Sequence, residues 1–247
     1  MSAKTWIVFA VLCLGLLGGL IMINQQNRVD VSNINASEVQ QASKDNGKIA
    51  DNTFGNAKSK VTIIEYGDYQ CPGCADAAPV LQQISEKYKD DIAFVFRNLP
   101  LPSIHPNARA AAAAAEAAGL QGKFWPMHDQ LYNSQDAWSQ LNSTERTAMF
   151  KSYVEGLGLD AEQWEKDLTS SRVAAKIDYD SSIARKLGVT GTPTIYINNQ
   201  PVDQYSKDGK IVGKEVEGAG PVWGSVEDFE KLILIPAMEK AGIDYQR

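Results

Sequence analysis

The sequence of 247 residues has two histidines, three cysteines and no excess of basic residues. Each shortage closes off a class of function. A net charge of −6 leaves no basic face for nucleic acid or for an anionic membrane surface, both of which select positive charge. Three cysteines are too few for a secreted domain framed by several disulfides. His105 and His128 with Cys71 and Cys74 reach the bare count for a four-ligand zinc site. However, the histidine spacing is not that of a zinc finger, and the two fall in different predicted helical elements. His105 reads instead as a helix-entry residue and His128 as a residue on a helix face. No internal repeat is visible. What remains is ordinary globular material, 44% hydrophobic and 22% charged, enough for a real core.

One long apolar run is present, uncharged from Thr5 to Ile23. At about 1.5 Å per residue a helix of this length just crosses a hydrocarbon layer of about 30 Å. No small-x-small cleavage site follows it, so the expectation is an uncleaved transmembrane anchor over 5–23. Lys4 precedes the run and the next basic residue is Arg28, which puts residues 1–4 in the cytoplasm and the rest outside. Cys13 lies within the run, after the bulky Leu12, and reads as lipid-facing and inert. Residues 24–52 are polar without apolar period and predict a flexible linker.

From Val61 the pattern changes. "VTIIEYG" predicts a buried strand, "ADAAPVLQQISEKYKDD" a helix kinked by Pro79, and "IAFVFRNLP" a second strand. A helical block follows. Its alanine-rich run between Asn107 and Gly119 predicts a close-packed helix face closed by glycine, and Gly188 is a predicted C-cap of a later helix. "TPTIYIN" returns to strand, "NNQPV" and "YSKDGKIVGKEVEG" carry hairpin signals, and a last helix opens at Ser225 and is interrupted at Pro236. Strands at both ends of the chain must share one sheet. The expected fold is therefore α/β, with 53–99 and 176–247 forming one domain and 100–175 a helical insertion.

Cys71 and Cys74 stand in "GDYQCPGCADAAP", at a strand-to-helix junction. Beside the zinc site, two readings compete. A static disulfide across so short a loop would remove little entropy from the unfolded chain. Thiol–disulfide exchange needs an accessible low-pKa thiolate and a second thiol one helical turn away, and Cys-x-x-Cys at a helix start supplies both. Pro72 fits the first helical turn, where a missing N–H costs nothing, and Gly73 adds no charge. Glu65 has two readings: an acid in a buried strand handling protons for Cys74, or a residue at the strand's exposed end. Asp68 reads as a turn residue.

"VTIIEYGDYQCPGC", the proline five residues after the second cysteine, and "GVTGTPTIYIN" together resemble the thioredoxin superfamily. The helical insertion and "HPNARAAAAAAEAAGLQGKFWPMHDQLY" resemble its DsbA-like branch, in particular the membrane-anchored members. The resemblance covers roughly residues 53 to 242. It implies a thioredoxin fold, a nucleophilic Cys71, a resolving Cys74, a cis Pro193 beside the site, and a Thr192 whose backbone pairs with a substrate peptide. It also matches Glu65 to an acidic group beneath the site. Pro72 and Gly73 lack the histidine that helps stabilise the thiolate in the best-known oxidising member, which leaves the oxidising strength open.

The expected function is a membrane-anchored thiol–disulfide oxidase of secreted or surface proteins. It would be a monomer without a bound cofactor, reoxidised by a quinone-linked membrane partner that the resemblance implies. The same chemistry run backwards, as a reductase or isomerase, is the first alternative. A non-catalytic peptide-binding or chaperone module is the second.

Overall fold

The structure, a computed structural model, describes residues 6, 9, 12, 13, 15, 31–44 and 46–245. The anchor expected at 5–23 lies almost wholly outside these. Among the described residues no helix is long and apolar enough to cross a membrane.

A five-stranded sheet forms the centre, with order β1-β3-β2-β4-β5. Its strands are β1 (Asn52–Gly55), β2 (Thr62–Gly67), β3 (Ala93–Asn98), β4 (Thr194–Ile197) and β5 (Gln200–Pro201). β2 and β3 run parallel, joined through helix α1 (Pro72–Lys87); β1 and β4 flank them antiparallel. Both parallel strands are buried at every position, as expected where helices cover both faces.

Alternate residues divide the core. Ile63, Phe94 and Ile195 face Leu81 and Ile84 of α1, with Phe229 and Met238 from the C-terminal helices. Ile64, Tyr66 and Val95 face the other way, onto Tyr179 and Ile183 of a long helix near the end of the helical block.

Between β3 and β4 lie α2 (Ala108–Leu120), α3 (Phe124–Asn133), α4 (Gln135–Trp138), α5 (Ser143–Gly156), α6 (Ala161–Leu168) and α7 (Ser171–Lys186). The alanines of α2 are mostly buried, against Trp138, Phe150 and Trp164 among others. Small side chains let these helices approach closely. The glycine that closes α2 in the left-handed region is Gly122 (φ 77°), whereas Gly119 remains helical with Phe124 against it. Gly188 (φ 72°) caps α7, with Val189 N–H donating back to Ala184 O at 2.9 Å.

Two tight hairpins follow. Asn198-Asn199 joins β4 to β5, and Asp208-Gly209 joins β6 (Tyr205–Lys207) to β7 (Lys210–Val212); all four turn residues have positive φ. That geometry matches the twist of the strands it connects. β8 (Gly220–Pro221) pairs with β6. Ser225 caps α8 (Val226–Phe229). The chain then widens into a π-helical turn over Glu230–Leu234 before α9 (Ile235–Ala241). This turn stands where a break at Pro236 was expected, ending at Leu234, two residues before the proline that has no N–H to donate.

The linker expected over 24–52 needs correction from residue 31 onward. Ala36 and Ile49 are buried in the α7 layer. Asp51 pairs with Arg97 at 2.8 Å, both side chains fully buried, and Arg97 also donates to the carbonyls of Ala36 and Glu38 and to the Tyr66 hydroxyl. The apolar residues of this segment are too sparse to show a period. Two cations distant in sequence hold it: Arg97 on β3, and Lys186 of α7, whose Nζ donates to the carbonyls of Val31, Ser32 and Ile34.

Candidate active site

β2 ends at Gly67, and the turn Asp68-Tyr69-Gln70 leads into α1. Gly67 has to lack a side chain: a Cβ there would come 2.3 Å from the Phe96 ring and 3.0 Å from Glu65 Oε1. Asp68, fully buried, builds the turn. Its Oδ1 accepts from Gln70 N–H at 2.8 Å and its carbonyl from Cys71 N–H at 3.0 Å. Its Oδ2 accepts from Leu101 N–H and lies 2.9 Å from His105 Nδ1. Asp68 is thus a turn residue that also pins the loop after β3, with His105 at that loop's base.

Cys71 is the N-cap of α1, with extended ψ of 123°, and Pro72 takes the first helical position. Both Cys71 and Cys74 are free thiols. Cys71 keeps 8% of its surface exposed and Cys74 none. The cis Thr192-Pro193 bond ahead of β4 lies against them. Cys71 Sγ is 3.3 Å from Thr192 O, and a Cβ on Gly73 would come 3.2 Å from Pro193 Cδ. A side chain at position 73 would therefore press on the Pro193 ring, which would have to give by a few tenths of an ångström.

The two thiols are pushed apart electrostatically. A hydrogen bond from the Cys74 thiol is the largest influence on Cys71. Burial opposes it, and the Thr192 side chain and the N–H groups of Cys74 and Gly73 reinforce it, bringing Cys71 down to about 5 from 9.0. Thr192 Oγ1 has no hydrogen-bond partner among the described residues while Cys71 is a thiol, and it is placed to donate once the thiolate forms. Burial pushes Cys74 well above the usual thiol range, helped by its bond to Cys71 and by the negative charges of Glu65 and Cys71.

Glu65 is 0% exposed, which removes the reading of an acid at the strand's open end. Neither of its oxygens has a hydrogen-bond partner among the described residues. Burial, with a smaller contribution from the Cys71 charge, lifts it from 4.5 to about 8. Its hydrogen-bonding capacity is unspent and its charge lies within reach of Cys74.

His128 is buried among Tyr69, Phe96 and Tyr132, with Nδ1 3.0 Å from Asp129 Oδ1; burial lowers it from 6.5. It is therefore a residue on a helix face, as expected, and that face is turned into the core. Among the described residues no group of three or more histidines, cysteines and acids is placed to hold a metal.

Two residues that the sequence reading missed also shape the site. Gln70 and Gln135 tie the cysteine turn to the helical block through backbone carbonyls and an amide. Gln135 lies 64 positions from Cys71, and nothing in its local sequence distinguishes it.

A thioredoxin family model matches residues 48–212. Among curated relatives, the Na(+)/H(+) antiporter NhaA 1 of Salinispora arenicola is 39% identical over 150 residues, covering 61% of this chain and 22% of that protein. The corresponding protein of Mycolicibacterium vanbaalenii is 35% identical over 150 residues, covering 60% and 23%. The chain thus spans less than a quarter of the length of these relatives. Among solved structures, oxidised BdbD from Bacillus subtilis has a TM-score of 0.58 at 22% identity, covering 81% of this chain and 97% of that one. Wolbachia pipientis alpha-DsbA1 has 0.59 at 22%, covering 77% and 92%. These structural likenesses establish a common fold.

Proposed function

Since this chain belongs to the thioredoxin family, we propose that it is a DsbA-like thiol–disulfide oxidoreductase, working through Cys71 and Cys74 as an oxidase of secreted or surface proteins. The observation that carries this reading is the asymmetry of the pair: one sulfur, at the edge of the surface, favoured as a thiolate, and one fully buried sulfur favoured as a thiol. A static disulfide would have no use for it.

In the oxidising direction a substrate thiolate attacks Cys71 Sγ of the Cys71–Cys74 disulfide. That bond breaks, a mixed disulfide forms, and Cys74 leaves with the electron pair. Cys74 then takes up a proton, which a neutral Glu65 is placed to supply. A second substrate thiolate attacks the substrate sulfur of the mixed disulfide and expels Cys71 as a thiolate. The substrate loses two electrons and the pair gains them. A low pKa makes Cys71 a good leaving group. Lowering it from 9.0 to about 5 stabilises the reduced form at pH 7 by about 2.7 kcal/mol, equivalent to roughly 60 mV toward oxidation. Thr192 and Pro193 form the wall against which a substrate strand would lie.

The membrane anchor, the extracytoplasmic placement, the monomeric state and a quinone-linked partner for reoxidation belong to this proposal. The test is the redox potential of the full-length protein in glutathione buffers. A value near about −120 mV supports an oxidase, and one near about −270 mV assigns the opposite direction, that of a reductase. Cys71→Ser separates both from a non-catalytic peptide binder, which would keep its activity.

A further inference from the structure

The N–H groups of Gly73 and Cys74 reach Cys71 Sγ only while the peptide between Cys71 and Pro72 keeps its orientation. Little in the local chain enforces that. Cys71 has no side-chain cap, and Pro72 has no N–H to be tied. The Cys71 carbonyl accepts from Ala75 N–H at 3.1 Å, a single first-turn bond of α1.

The second tie comes from the helical block. Gln135 Nε2 lies 3.0 Å from the Cys71 carbonyl and 2.8 Å from the Tyr69 carbonyl. Its two amide hydrogens therefore bridge the carbonyls on either side of Gln70. The Gln70 side chain is itself engaged, accepting from Asn107 N–H at 2.6 Å and donating to Ser139 O at 2.7 Å. The turn that presents Cys71 is clamped from α4 and from the start of α2.

We infer that Gln135 is a positioning residue for the Cys71 chemistry: its carboxamide fixes the Cys71 peptide so that the first N–H groups of α1 converge on the sulfur. This rests on the redox reading of the pair. Two physical effects act together. The amide holds the peptide plane, and its positive end offsets a carbonyl dipole whose negative end would otherwise stand beside a thiolate. Without the donor, the Tyr69 carbonyl loses its bond from Gln135 and the Cys71 carbonyl keeps only that from Ala75 N–H, so the peptide ahead of Pro72 is held less tightly. The packing of α4 rests elsewhere, on the fully buried Trp138, whose Nε1 donates to Leu131 O at 2.8 Å. Glu65 from β2, Asp68 from the turn and Tyr132 from α3 also face the pair, and a substitution at 135 leaves all three in place.

The experiment uses the reduced full-length protein and follows iodoacetamide alkylation of Cys71 from pH 4 to 9. The glutathione equilibrium at pH 7 is measured alongside. Gln135→Met removes both donors at similar volume. The expected result is a midpoint about one pH unit higher, with an approximately tenfold lower equilibrium constant for oxidising glutathione. Trp138→Phe is the control for general loosening: its melting temperature should fall while the Cys71 midpoint stays. The inference is overturned if folded Gln135→Met keeps the wild-type midpoint, or if Trp138→Phe moves it equally. If Gln135→Met does not fold, Gln135→Asn, which keeps the amide but withdraws it by one methylene, is judged by the same criteria. A wild-type protein that does not exchange with glutathione would sink the redox reading, and the alkylation midpoints would still judge Gln135.

Discussion

Glu65 makes a quantitative prediction about stability. The folded protein lifts its pKa from 4.5 to about 8, chiefly through burial without a partner. The folded state therefore binds a proton that the unfolded state has released between those two values. Stability must fall as pH rises through this window, since the native state is the one that holds more protons. At about 1.36 kcal/mol per pH unit, the gap from 4.5 to about 8 amounts to roughly 5 kcal/mol, complete above pH 8. Glu65→Gln cannot ionise and escapes this cost. Guanidinium unfolding of reduced wild type and Glu65→Gln at pH 4, 6 and 9 isolates Glu65 together with its coupling to Cys71 and Cys74, because titrating groups that do not feel its charge cancel in the difference. The variant should gain on the wild type by about 4–5 kcal/mol between pH 4 and pH 9. A difference constant to within about 1 kcal/mol across that range would refute the reasoning, by showing that Glu65 ionises as freely in the folded protein as in the unfolded chain.

Four further predictions follow from the same structure. Alkylation of the reduced protein should be half-maximal near pH 5 and confined to Cys71, with Cys74 unmodified in peptide mass maps. Because Cys71 is depressed, its contribution to the stability of the reduced form grows as pH rises above 5 and is complete above 9.0, so the melting advantage over Cys71→Ser should widen across that range. Asp51→Asn leaves the buried Arg97 without its carboxylate; a loss of about 3–5 kcal/mol is expected, with residues 31–51 becoming open to limited proteolysis. Gly67→Ala drives a methyl into Phe96 and toward Glu65, and should cost about 1–3 kcal/mol in chemical denaturation.

The readable parts of this chain are those whose cause is local. β2 announces itself as a β-branched apolar run, β3 as an apolar run carrying two phenylalanines, α2 as an alanine run, and the two hairpins as Asn-Asn and Asp-Gly turns, because backbone propensity and periodicity act over a few residues. Cys71 and Cys74 are legible for the same reason: two thiols one helical turn apart at a strand-to-helix junction already specify where their sulfurs stand relative to the helix N–H groups.

Other features needed the assembled fold. Whether Glu65 is buried depends on which strands flank β2 and what covers them, so an acid inside a strand remained ambiguous until β3 and β4 closed over it. Residues 31–51 read as linker because their anchors, Arg97 on β3 and Lys186 on α7, lie far along the chain, and such long-range contacts leave no periodic trace. Gln135 touches Cys71 only because the helical block folds back over the site. The sequence by itself determined the central strands β2, β3 and β4, most of the helices, and the placing of two thiols one turn apart at the start of a helix, because these follow from local pattern; β1, within a polar stretch, did not show. Tertiary structure decided how acidic the thiol is beyond what the bond from Cys74 supplies, since that depends on how deeply Cys71 is buried and on Thr192, which lies 121 positions away and is brought against the sulfur by packing.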